Sequence, residues 1–569
     1  MITAGWRPRR LHSVLALILT TTLFYYNLPL PEALSQVRYR KTQCAILPST
    51  DDRFELELCY NTDACNAGTI TVAAPLVDCS REQTRLTSAN ASEHDWTYRN
   101  IGPHTFHLQL YGATRAAQEP ARFLGPDKCA WRFDFDAKAS GRLGLQVHHV
   151  YENFAAYMNI HSSPPMTNWT ALLETPVGFP APRDPVTPTH RENIYLPEVD
   201  LCPDHTLMNA RILGKTRPPS AAQPLLKVWR TPEQNAAREK APLCSRHHPV
   251  PGVYRAAHPS DQRRSLVSYK GYVWEPEPQC RMDELPYHDT ESQDVLAQLN
   301  QYDRNILFLG DSHNRYAYYF IRSWYQQNWT YLLDPYRLKE EYSSWGRGKT
   351  RFEFVWDRFM ELALPDQFDC DRVAKEYGKF DTIVLSTGQH LMITNHGETD
   401  KYPFEITTVE PYVERVRQTI QTFLTRCPPR PGSQFEKRRI VWMTPPGYRP
   451  PYVPFRWDDH RTNTRISQYT ARAVDMLRRE FPEVAIIDQY TLTLPFVRET
   501  LDGLHSYGTD AAYPIALEVN HKLGIGKPRG WWIAPTSGSS EDRNEPQQTF
   551  TIGRTRPTDI GSRAAAAST

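Results

Sequence analysis

Residues 306 to 320, ILFLGDSHNRYAYYF, place Ser312 just past an apolar run and at the head of an aromatic-rich segment with helical spacing. Gly310 permits a tight strand-to-helix turn at this point, and the free amides of a helix's first turn can polarise an anion. A serine so placed can attack a carbonyl carbon if a base takes its proton and a third group orients that base. ETLDGLHSYG, residues 499 to 508, supplies Asp502 and His505. Their D-x-x-H spacing lets the carboxylate reach imidazole Nδ1 and leaves Nε2 for Ser312. Each piece alone is ordinary, because Asp and Ser are favoured helix caps and a D-x-x-H can sit in a solvated loop. Together, one after the first strand of a sheet and one after its last, they are far more specific.

The elements that must bring these residues together are visible between about 301 and 532. NILFL (305 to 309), TIVLS (382 to 386), IVWM (440 to 443) and VAIID (484 to 488) are short, continuously apolar runs rich in β-branched residues. Between them lie amphipathic helical patterns, with Val413, Val416, Ile420, Phe423 and Leu424 on one face and Ile466, Ala473, Val474 and Leu477 on another. Apolar strands alternating with such helices predict an α/β domain whose parallel sheet is covered on both faces. In such a sheet ligands bind outside the carboxyl ends of the strands, where Ser312 falls.

FLGDSHNR, LSTGQH and DGLH together resemble the motif blocks of the SGNH hydrolase superfamily, in particular its PC-esterase branch. That branch includes the neurexophilin and PC-esterase proteins and the plant trichome-birefringence-like polysaccharide O-acetyltransferases. The resemblance spans roughly 270 to 532 and implies an SGNH-like fold. It further implies Ser312 as nucleophile, His505 as general base, Asp502 as the orienting carboxylate and Arg315 as the arginine of a G-D-S-x-x-R signature. Gly388 and His390 match a G-x-H block where other SGNH hydrolases carry G-x-N, whose asparagine helps form the oxyanion hole. The expected substitutes are the amides of Ser312 and Gly388, supplemented by the side chain of His390 or Arg315.

The rest of the chain supplies an address and accessory parts. Residues 1 to 35 pair WRPRR with an apolar run, LHSVLALILTTTLFYYNLPL, and predict a cytosolic tail followed by a retained signal anchor; cleavage after ALS, before Gln36, is the alternative. The sequons at Asn90, Asn168 and Asn328 and ten cysteines without a CxxC pair agree with an oxidising secretory compartment and with disulfides. The expected organisation is a cysteine-rich segment over 36–90, an immunoglobulin-like β-sandwich module over 91–200, an irregular connection over 201–300, the catalytic domain over 301–532 and a disordered tail over 533–569. Lys and Arg number 66 against 64 Asp and Glu, a balance that gives no reason to expect a nucleic-acid partner.

Three further features read as incidental. SSWGRGKT (343 to 350) ends like a phosphate loop but lacks its first glycine and a preceding strand. His247, His248 and His258 have no carboxylate or cysteine at ligand spacing, so no metal is expected. The tryptophan pair in GWWIAP (530 to 535) reads as core more readily than as a sugar platform.

These observations lead to the expectation of a type II, Golgi-membrane O-acyltransferase that acetylates hydroxyls of a polysaccharide or glycoprotein glycan through an acyl-serine. A carbohydrate O-acetyl esterase and a catalytically inactive glycan-binding protein are the alternatives. No tightly bound cofactor is expected. The acyl donor has to come from the lumen or from a partner membrane protein, since no multi-pass segment is present to carry an acyl group across a membrane.

Overall fold

The computed structural model describes residues 42–47, 49, 53–61, 67–82, 100–112, 114–136, 141–151, 194–195, 198–201, 211–213, 240–256, 272–277, 280–283, 285, 304–326, 342–358, 360, 380–392, 409–425, 438–448, 462–500 and 504–524. The signal-anchor segment, Asn90, Asn168, Asn328, Asp502 and the 533–569 tail lie outside them. Among the described residues no helix is long and apolar enough to cross a membrane.

The site-bearing sheet has six strands: β1 (Arg304–Gly310), β2 (Tyr342–Arg347), β3 (Thr350–Trp356), β4 (Thr382–Ser386), β5 (Arg439–Met443) and β6 (Ala485–Ile487), in the order β2-β3-β1-β4-β5-β6. β3, β1, β4, β5 and β6 are parallel, and β2 closes one edge antiparallel to β3. SSWGRGKT therefore forms one strand and the turn of a hairpin, not a phosphate loop. The helices are α1 (Ser312–Gln326), α2 (Val409–Thr425), α3 (Asn463–Glu480), the short α4 (Gln489–Thr493) and α5 (Ala512–Leu523).

Continuous apolarity of the strands follows from the two layers that cover them. Successive residues of a strand point to opposite faces, so a strand buried on both must be apolar throughout. Ile306 and Phe308 join the core made with Tyr316, Tyr319 and Phe320 of α1 and Ile515 and Val519 of α5. Leu307 and Leu309 face the other core, with Val416, Ile420 and Phe423 of α2 and Ile466, Ala473 and Leu477 of α3. α2 and α3 lock where Tyr412 stacks on Tyr469 at 4.2 Å.

The N-terminal β-module is larger than the sequence suggests. Strands Thr42–Leu47, Glu55–Asn61 and Ala67–Ala73 fall in the expected cysteine-rich segment, but Ala67–Ala73 pairs along its length with Ala130–Asp136, so all three belong to the module's first sheet. The bridge Cys44–Cys59 ties the first two strands together, and Cys79–Cys129 ties this segment to the residues just before Ala130. A second sheet runs through Gly141–Tyr151, Thr105–Gly112 and Thr114–Gln118 and continues into Gly252–Ala256 and Tyr272–Pro276. Leu58, Ile70, Trp131 and Phe133 of the first sheet, with Phe54 just before its second strand, share one core with Phe106, Leu108 and Val147 of the second.

The last two strands lie within the stretch expected to be an irregular connection. They are strands because one face is spoken for: the cross-strand partners Tyr254 and Trp274 enter the core shared with α1 and α5, and the Tyr254 hydroxyl donates to the Leu492 carbonyl at 2.6 Å. The Cys244–Cys280 bridge closes the loop around them.

Candidate active site

Ser312 is placed by a turn stitched to both neighbouring strands. The Asp357 amide donates to the Gly310 carbonyl, at 2.9 Å, and the Asp311 amide to the Ser386 carbonyl, at 3.4 Å. Asn314 Nδ2 donates to the carbonyls of Leu309 (2.8 Å) and Val384 (2.9 Å), clamping the first helical turn to β1 and β4. A Cβ at Gly310 would stand 2.1 Å from the Ser386 carbonyl oxygen, which is why the close approach requires glycine.

The cap of α1 falls to the residue before Ser312. Asp311 Oδ1 accepts from the His313 amide at 2.9 Å and so caps α1. The Ser312 hydroxyl is left for other partners, and His505 Nε2 lies 2.8 Å from its Oγ. The fold thus brings within hydrogen-bond distance the two residues, 193 apart in the chain, that the motifs single out.

Gln389 Nε2 also donates to Ser312 Oγ, at 3.0 Å. With Oγ accepting from Gln389, its own hydrogen is available to His505 in the tautomer that leaves Nε2 unprotonated. The Gln389 amide is held in that sense because Tyr448 donates its hydroxyl to Oε1 at 2.7 Å. His313 Nε2 lies 3.3 Å from the same hydroxyl. Gln389 is 2 % exposed, so its donor faces Ser312 Oγ with little competition from water.

Gln389 sits between the two residues named from the G-x-H block. Gly388 adopts φ +144°, and a Cβ there would lie 2.5 Å from Pro445 Cγ, so the backbone entering the site is tightly confined. His390 turns away into a short 3₁₀ turn and packs edge-on against Trp356, with ring centroids 5.8 Å apart. Arg315 lies over the same indole at 5.2 Å. The side-chain donor at Ser312 is thus Gln389 rather than His390 or Arg315: α1 directs Arg315 onto the aromatic at the end of β3, and the 3₁₀ turn does the same for His390.

The His505 ring is half-buried in an aromatic nest, 4.5 Å from Tyr316, 4.8 Å from His313 and 6.1 Å from Tyr507 between ring centroids. These rings restrict its tilt and keep Nε2 aimed at Ser312. Tyr448 and the Gln389 donor were not named from the sequence. Gln389's only signal was its place inside STGQH beside a conformationally special glycine, and Tyr448, in TPPGYRPP, carries no motif at all.

Chemically, the site offers a serine hydroxyl hydrogen-bonded to an imidazole, with a fixed amide donor beside it at the carboxyl edge of a parallel sheet. No protein-family model matches the sequence, and no curated protein matches it. Among solved structures, the chain is similar to LAE5, an α/β hydrolase enzyme from the metagenome of Lake Arreo, Spain, at 12 % identity over 40 % of this chain and 97 % of that one, TM-score 0.25. It is similar to a catalytic mutant of Axe2, an acetylxylan esterase from Geobacillus stearothermophilus, at 13 % identity over 39 % of this chain and 94 % of that one, TM-score 0.24. It is also similar to Est24, a carbohydrate acetylesterase from Sinorhizobium meliloti, at 15 % identity over 38 % of this chain and 98 % of that one, TM-score 0.25. Likeness at this level assigns no activity to the chain.

Proposed function

We propose that this protein is a serine-dependent acyl-ester enzyme that works through an acyl-Ser312 intermediate. The observation that carries the reading is the approach of His505 Nε2 to Ser312 Oγ at 2.8 Å, with Gln389 Nε2 on the same oxygen at 3.0 Å. As Oγ attacks the ester carbonyl carbon, its proton passes to His505 Nε2 and the carbonyl electron pair moves onto oxygen. Gln389 Nε2 and the amides of Ser312 and Gly388 are the donors for that oxyanion, so Gln389 takes the place of the asparagine absent from the G-x-N block. Collapse breaks the ester C–O bond, and His505 returns the proton to the departing alkoxide.

The acyl-serine is then opened by a second nucleophile whose proton His505 accepts. With a sugar hydroxyl the reaction is O-acyl transfer to a glycan; with water it is ester hydrolysis. The motif resemblance supports transfer of acetyl to glycan hydroxyls inside the secretory pathway, with Asp502 orienting His505, and deacetylation of a carbohydrate is the alternative. The hydrogen-bonded Ser312–His505 pair speaks against an inactive glycan-binding protein, because a binding role requires neither group.

The test is intact mass spectrometry of the full-length chain after brief exposure to 4-nitrophenyl acetate, wild type beside Ser312→Ala. An acetyl adduct on the wild type alone, mapped to Ser312, is the expected result. Its rate of loss to water, compared with loss to added oligosaccharide, separates hydrolysis from transfer. Equal turnover by Ser312→Ala would overturn the assignment.

A further inference from the structure

The Ser312–Gln389–Tyr448 contacts do not end inside the catalytic domain. Tyr448 lies in the segment after β5, and its backbone is gripped by one side chain: the Tyr448 amide donates to Asn463 Oδ1 at 2.7 Å, and Asn463 Nδ2 donates to the Tyr448 carbonyl at 2.8 Å. Asn463, the first residue of α3, is fully buried. Its Nδ2 has a second hydrogen, which goes to Glu119 Oε2 at 2.9 Å. That carboxylate belongs to the N-terminal module, one residue beyond the strand Thr114–Gln118.

Glu119 is itself fixed. Its Oε2 lies 3.0 Å from Nδ1 of the buried His107, on the neighbouring module strand. Its backbone carbonyl accepts from the Tyr490 hydroxyl at 2.9 Å. Nearby, Gln109 and Arg115 each donate to the Pro495 carbonyl at 3.0 Å, and Arg115 pairs with Glu499. The module is therefore seated on the segment between β6 and His505 while it holds Asn463.

The Tyr448 N–H and C=O accept only the flip that presents Oδ1 to the one and Nδ2 to the other. Glu119 reinforces that flip and anchors the amide from its far side, because a carboxylate accepts from Nδ2 and repels Oδ1. With the amide set, Tyr448 is held by both backbone groups, and its hydroxyl stands where it must to orient Gln389 toward Ser312.

We propose that Glu119 is a positioning residue through which the β-module sets the oxyanion donor Gln389, along the path Glu119, Asn463, Tyr448, Gln389, Ser312. The inference rests on the reading of Ser312 as nucleophile. It gives the module a part in catalysis that a spacer or binding domain would not have.

The test is a double-mutant cycle on the full-length chain with 4-nitrophenyl acetate, taking Glu119→Ala, Gln389→Ala and both together, with Ser312→Ala as the control for the underlying reading. Glu119→Ala is expected to lower kcat about tenfold with KM little changed, and to have no further effect once Gln389 is alanine. Glu119→Gln, which keeps an oxygen for Asn463, is expected to recover part of the rate. An equal loss from Glu119→Ala in both backgrounds would overturn the proposal.

A crystal structure of Glu119→Ala, or of Glu119→Gln if the alanine variant does not fold, supplies a readout independent of turnover. Displacement of Tyr448 and of the Gln389 amide from Ser312 is expected in the alanine variant, with a smaller shift of the same groups in the glutamine variant. An undisturbed Tyr448–Gln389–Ser312 path in the variant solved would refute the proposal, even if the protein showed no esterase turnover at all. Loss of the underlying reading would instead appear as wild-type turnover insensitive to Ser312→Ala.

Discussion

Gln389→Ala is the most informative single change at the site. Gln389 Nε2 lies 3.0 Å from Ser312 Oγ, is almost fully buried, and is locked by the 2.7 Å bond from Tyr448. A preorganised donor in a water-poor site stabilises charge that develops only in the transition state, and its removal typically costs about 10²–10³ in kcat, roughly 3–4 kcal/mol. The fold should survive, because the Tyr448 hydroxyl retains His313 Nε2 at 3.3 Å. Steady-state kinetics with 4-nitrophenyl acetate, read alongside thermal melting, should show kcat down at least about 100-fold and KM within about threefold of wild type. Gln389→Glu should be at least as impaired, since a carboxylate accepts rather than donates and opposes the oxyanion. Should Gln389→Ala keep kcat within about fivefold of wild type, or lose only KM, the oxyanion role is wrong and the contact serves packing.

Gly310→Ala would drive a Cβ to 2.1 Å from the Ser386 carbonyl, a backbone atom held by the β1–β4 register, and should cost roughly 3 kcal/mol or more; an unchanged melting temperature would show the turn to be looser than described. Stability should also depend on pH through the buried Glu518 and the half-buried His247. Burial lifts the Glu518 carboxyl from 4.5 to about 8, and burial, with Arg439 and Lys522 nearby, depresses His247 from 6.5 to about 4. Between 4.5 and 6.5 the native state keeps a proton on Glu518 that the unfolded chain has released, and lacks one on His247 that the unfolded chain holds, so the two slopes offset. Above 6.5, of these two, Glu518 alone contributes, and its share of stability should fall by about 1.4 kcal/mol per pH unit until its carboxyl ionises near 8. Denaturant melts across that range should show the decline in wild type and its loss in Glu518→Gln; an identical decline in both would assign it elsewhere.

The sequence alone determined the parts whose physics is local or repetitive. Residues 305 to 309, 382 to 386, 440 to 443 and 484 to 488 announced strands buried on both faces because a two-layered cover removes every polar position. The approach of Ser312 and His505 could be expected because each lies in a short segment whose glycine, cap and spacing restrict where it can stand. Tertiary structure alone decided how the site is finished. Gln389 differs from any other glutamine only because Tyr448, 59 residues away, fixes its amide, and Asn463 meets Glu119 across 344 residues. Such pairings depend on how sheets and helices close on one another and leave no period in the sequence. The module's extent was hidden for the same reason: antiparallel pairing joins Ala67–Ala73 to Ala130–Asp136 and Gly252–Ala256 to Thr114–Gln118, and a strand's partner is chosen by the exposed edge it completes, not by its neighbours in the chain.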